Sequence, residues 1–152
     1  MKLAEALILR ADKKRRIDQL KQRLIRNAKI QEGEKPAEDP EVLIREVEQV
    51  SAEFLLLIQQ INKTNAATEI EKGVSLADAI ASRDVLALRN GIFRDLAQAA
   101  TVTQDIRTKS EIKFRGSVNV SQMQKRADDL AKEHRDLDAK IQEMNWKVEL
   151  RE

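Results

Sequence analysis

Apolar residues between Val42 and Thr64 fall at Leu43, Val47, Val50, Phe54, Leu57 and Ile61, an unbroken 4-3-4-3-4 spacing. A helix repeats every 3.6 residues, so this spacing puts all six on one stripe that must be buried against other helices. Leu55, Leu56 and Ile58 widen the apolar face beyond a two-stranded seam and predict at least two packing neighbours.

The same rhythm recurs along the rest of the chain. Leu3, Leu7, Ile17, Leu20 and Leu24 mark the buried side of a first helix over residues 2–30, ended by Gly33 and Pro36. Asp39-Pro40-Glu41 is a start signal for a second helix over 40–65: a capping carboxylate, then proline at the first helical position. Gly73 closes the next break. Ser75 with Asp78 opens a third helix over 75–103, whose stripe is Leu76, Ala79, Arg83, Leu86, Asn90, Phe93, Ala97 and Ala100. Gly91 lies inside this helix, because the period runs through it in phase. Ser121 with Gln124 caps a fourth over 121–145, with Met123, Ala127, Leu130, His134, Leu137, Ile141 and Met144 on its stripe.

Between the third and fourth helices the period fails. Ile112 and Phe114 alternate with charges, Gly116-Ser117 supplies a turn, and Val118-Asn119-Val120 follows, which predicts a β-hairpin over 111–120. Residues 146–150 alternate and predict a short strand added to it. The expected architecture is therefore mainly α, a single domain built as an elongated up-down bundle of four long helices with a small β-hairpin between helices 3 and 4. Such rods are about 37–44 Å long at ~1.5 Å per residue. A thin bundle with several apolar faces finishes burying itself by association, so the expected partner is the chain itself, as at least a dimer, or another helical protein.

Composition fits this picture. The 152 residues are 36% charged and 3% aromatic, with four Gly and two Pro, which excludes a β-sandwich or doubly wound fold. There is no Cys, so a disulfide framework, a thiolate metal site and a Cys nucleophile are all excluded. Charge is unevenly laid out: residues 1–30 carry ten Lys/Arg against three Asp/Glu, and residues 31–60 carry two against eight. Adjacent segments of opposite sign predict an antiparallel pair that complements itself. The apolar start from Leu3 to Leu9 precedes its basic run, the reverse of a secretory signal, and no apolar stretch reaches membrane-spanning length. The expectation is a soluble, cytoplasmic protein.

Candidate chemistry is sparse. His134 is the only histidine, and the Glu-x-x-His pair of di-iron bundles is absent, so no metal or other cofactor is expected. Folding helices 3 and 4 about Ile112 places Asn90 opposite His134, and folding helices 1 and 2 about Pro36 places Arg10 near Asn62. With Arg83, these five form an expected buried polar cluster, whose role is register and oligomer state rather than ligand binding. Arg107, Lys109, Lys113 and Arg115 make a basic patch on the expected hairpin, a candidate docking edge. The run Lys13-Lys14-Arg15-Arg16, with Arg23, Arg26 and Lys29, offers an alternative function, nucleic-acid binding through the first helix. There is no Gly-rich phosphate loop or nucleophile elbow, so no enzyme is expected.

The opening Met1-Lys2-Leu3-Ala4-Glu5-Ala6-Leu7, Gln31-Glu32-Gly33 with Glu38-Asp39-Pro40, Ile61-Asn62-Lys63-Thr64-Asn65, Arg83-Asp84, and the closing Ile141-Gln142-Glu143-Met144-Asn145-Trp146 resemble the septicolysin-like family of small bacterial proteins. The resemblance implies a bacterial source and a mostly helical protein, and carries over no active-site residues. The family name implies a third function, a cytolysin-like toxin, against which stand the missing export signal and the missing membrane-inserting segment. The leading expectation is a non-enzymatic helical protein that acts by self-association or as an adaptor.

Overall fold

The computed structural model describes residues 1–102 and 113–152. Four helices, α1 (Leu3–Arg26), α2 (Pro40–Ala67), α3 (Leu76–Ala100) and α4 (Val120–Lys147), account for most of them, and one antiparallel hairpin joins β1 (Glu69–Glu71) to β2 (Val74–Ser75). The mainly α class, with four helices and one small hairpin, is the architecture expected from the pattern. The chain divides into two compact units, residues 1–69 with 142–152, and residues 70–141; α4 has residues in both.

In the first unit α1 and α2 run antiparallel. All six stripe residues of α2 leave the solvent: Leu43, Leu57 and Ile61 are buried, and Val47, Val50 and Phe54 are half-buried. On α1, Leu3, Ala4, Ala6 and Leu20 are buried. Leu55 and Leu56, expected to find a second neighbour, remain 57% and 56% exposed. The charge asymmetry is used as expected. Lys13 bonds Glu53 at 2.5 Å, Arg16 bonds Glu46 at 2.9 Å, and Arg23 reaches both oxygens of Glu38 at 3.1 Å.

Asn27 shortens α1 by four residues against the sequence expectation. Its side-chain amide donates to the Arg23 carbonyl at 2.9 Å, and its Oδ1 accepts the Glu38 backbone N–H at 3.1 Å. One residue thus ends the helix and holds the returning loop. At the other end of the unit the termini clasp. Leu3 N–H donates to the Val148 carbonyl at 2.9 Å, and Leu150 N–H donates to the Met1 carbonyl at 2.8 Å. The buried Thr64 hydroxyl donates to the Gln60 carbonyl at 2.7 Å and accepts the Arg151 N–H at 3.0 Å. The strand expected over 146–150 does not form as such: Trp146 and Lys147 lie in the last turn of α4, and only Glu149 bridges, to Lys2 rather than to a hairpin.

In the second unit the hairpin precedes α3. Gly73, at φ +77°, takes the positive angle that the second turn position demands, and Glu69-Ile70-Glu71 alternates before it. The hairpin expected over 111–120 is not found in its described part: residues 113–119 form no strand, and 111–112 lie outside the described residues. Gly116 has another purpose, since a Cβ there would fall 2.8 Å from the Ala100 carbonyl oxygen. Asn119, rather than Ser121, starts α4: its Oδ1 accepts the Gln122 N–H at 3.0 Å. Ser75 caps α3 as expected, accepting the Asp78 N–H at 3.0 Å.

Three outcomes follow from these contacts. Ile61→Ala leaves a cavity in the α1–α2 core and lowers stability by about 2–5 kcal/mol in urea unfolding, whereas Leu55→Ala shifts the midpoint little. A Cβ at Gly91 would meet only the far end of the Arg94 side chain, at an ordinary 3.9 Å, so Gly91→Ala raises stability by up to ~1 kcal/mol, while Gly116→Ala lowers it. Hydrogen bonds from Arg23, Lys13, Lys140, Lys147 and Lys2 hold Glu38, Glu53, Glu71, Glu143 and Glu149 below the usual glutamate range. Their stabilisation is complete above about pH 4.3, the unperturbed value, and is lost as pH falls through the depressed folded values. A urea midpoint that is flat from neutral pH and declines only in that acid window, less steeply in Glu38→Gln, is the expected profile.

Candidate functional site

The basic run on α1 is largely spoken for. Lys14 bonds Asp18 at 2.9 Å, Arg15 pairs with Asp12, Lys13 and Arg16 pair across to α2, and Arg23 pairs with Glu38 in the loop before it. A depression of about 490 Å³ beside α1 is lined by Asp18, Gln19, Lys21, Gln22, Arg23 and Arg26. All six come from one helix, so no second wall closes over a ligand. Among the described residues no group of His, Asp or Glu is arranged to hold a metal ion.

The expected polar cluster does not assemble as one site. Arg10 and Asn62 are both exposed. Lys13 already reaches Glu53, so Asn62 lies beyond the level of Arg10; the early stop at Asn27 moves the fold point back from Pro36. Arg83, Asn90 and His134 are half-buried in the second unit. Asn90 donates its amide to the Ala127 carbonyl at 2.7 Å, two turns before His134, so the expected Asn90–His134 contact is not made. His134 has no hydrogen-bond partner among the described residues. Arg83 bonds Asp138 at 3.0 Å and Asp84 at 3.0 Å. Partial burial works against its charge, and the two carboxylates outweigh that, holding the guanidinium above its ordinary range. These bonds fix the alignment of α3 on α4, which run antiparallel. Arg126 lies over the Phe93 ring, 4.2 Å from its centre, as a further tie.

Of the basic patch, Lys113 and Arg115 are exposed in irregular chain, and Arg107 and Lys109 lie outside the described residues.

The feature the sequence reading missed is on the outer side of α3. Ala77, Ala81, Val85, Leu88 and Ile92 follow in steps of three or four, with Ala99 seven residues on, about half a turn from the inner stripe. Val85, Leu88 and Ile92 are 52%, 64% and 55% exposed. The signal was available, because a second 3–4 series on one helix predicts two apolar faces.

Comparison with known proteins places the chain. Its residues 10–150 match the model of a family of unknown function, DUF6847. A solved structure, that of a functionally unknown conserved protein from Corynebacterium diphtheriae, is 42% identical and superposes with a TM-score of 0.94 over 99% of each chain. No curated protein matches it. These findings overturn the septicolysin-like resemblance, whose short matching segments are common helix and cap chemistry, and with it the ground for a cytolysin; no described helix is long and apolar enough to cross a membrane. With the match running through nearly its whole length, the chain belongs to the DUF6847 family of unknown function.

Proposed function

We propose that this protein is a non-enzymatic helical module that works by self-association, with the outer face of α3 as its contact surface. One observation carries the reading: α3 has two apolar stripes on opposite sides, and the described chain covers only the inner one. Three large aliphatic side chains in a row on one exposed helix face are a contiguous patch, the kind of surface that marks an interaction site. The absence of a walled cavity on α1 and the prior pairing of its basic residues leave the enzymatic and nucleic-acid readings without comparable support.

A second copy is the economical partner, since a two-fold pair covers both patches at once. Sedimentation equilibrium at micromolar concentration is expected to give twice the 17.4 kDa of one chain, with dissociation on dilution. A mass of 17.4 kDa throughout that range would sink self-association.

A further inference from the structure

The outer stripe of α3 carries an orientation as well as a surface. Residues 81, 85, 88, 92, 95 and 99 alternate in steps of four and three, which is the repeat of a coiled-coil seam. Val85 and Ile92, both β-branched, occupy one kind of seam position, and Leu88 occupies the other. In a parallel arrangement that distribution favours two strands over three or four. The charges flanking the stripe select the direction. In a parallel pair, the residue just before a Val85-type position faces the residue five further on in the neighbouring helix, which sets Asp84 against Arg89. In an antiparallel pair like flanks meet, and Arg89 would face Ser82 or another Arg89, while Asp84 would face Gly91 or Gln98.

Both charged groups have capacity for a partner. Arg89 is exposed and makes no ion pair among the described residues. Arg83 takes only Oδ1 of Asp84, which is 65% exposed, so the other oxygen is open. Asp95, at the next seam position, is exposed and paired to Arg94 at 3.3 Å, and it ends the apolar contact there. The seam thus runs from Ala81 to Ile92, about 17 Å at ~1.5 Å per residue. Such a short seam belongs to the small end of specific interfaces and gives a pair that dissociates readily.

We infer that two copies of this chain associate through α3 in parallel, with Val85, Leu88 and Ile92 interlocked and Asp84 of each copy bonded to Arg89 of the other. The inference rests on the self-association reading and specifies its geometry. The native chain has no Cys, so single-cysteine variants at exposed seam positions report orientation directly. Full-length Ala81→Cys and Ile92→Cys, oxidised mildly with their folding checked by circular dichroism, should each form a covalent dimer with itself. Arg89→Glu should weaken association about tenfold, and adding Asp84→Lys to it should restore affinity. Links between Ala81→Cys and Ile92→Cys without self-links would overturn the parallel arrangement. A native dimer whose affinity ignores Arg89→Glu and whose cysteine variants do not link would overturn the α3 seam while leaving self-association standing. A monomeric native protein would remove both.

Discussion

Leu57 and Ile61 stay dry only because α1 turns back along α2, and that return is fixed by polar contacts at its two ends. At the loop end Asn27 stops α1 and catches Glu38. At the far end, Thr64 is fully buried, and its hydroxyl links the Gln60 carbonyl to the Arg151 N–H. A two-helix pair is only a thin layer, and its apolar burial alone leaves little margin against chain entropy. The backbone bonds between Met1, Leu3, Val148 and Leu150 add a closure that packing could not supply. The ion pairs between α1 and the returning chain do a different job. They are partly exposed and contribute little energy, but Lys13–Glu53, Arg16–Glu46 and Arg23–Glu38 agree on one alignment and disfavour a slipped one.

Most of the helical architecture was legible in the sequence because it depends on periodicity, a property of neighbours three and four residues apart. Every stripe residue of α2, α3 and α4 named from spacing is buried or half-buried. Caps were legible too where a carboxylate or hydroxyl stood before proline or a good helix former, as at Asp39 and Ser75. Register was not. The alignments of α1 with α2 and of α3 with α4 are decided by where helices stop, and Asn27 and Asn119 each move a terminus by one to four residues. A shift of that size carries a partner residue as much as two turns away, which is why Arg10 misses Asn62 and Asn90 reaches Ala127.

The hairpin shows a related ambiguity. Two segments contain alternation beside glycine, Glu69-Ile70-Glu71-Lys72-Gly73-Val74 and the stretch through Gly116. Only the first makes a described ladder. Gly73 serves a turn, at φ +77°, and Gly116 serves a close approach to the Ala100 carbonyl. Glycine in a sequence marks either need, and the chain alone does not separate them.

The composition of α3 carries the functional argument. Its inner stripe sets Leu76, Leu86 and Phe93 beside Ala79 and Ala97, with Asn90 and Arg83 tied to α4, while three further large aliphatic residues point outward. A helix that only completed its own unit would carry polar residues in place of Val85, Leu88 and Ile92. Leaving those three in water gives up the transfer energy of three side chains, roughly 1.5–3 kcal/mol each when fully buried. The proposed association would recover part of that energy. The polar inner contacts also matter to it, because they hold the rotation of α3 about its own axis and so decide which residues it presents. An alignment fixed by a hydrogen bond to one carbonyl oxygen, rather than by interchangeable aliphatic contacts, keeps the outer stripe in one place.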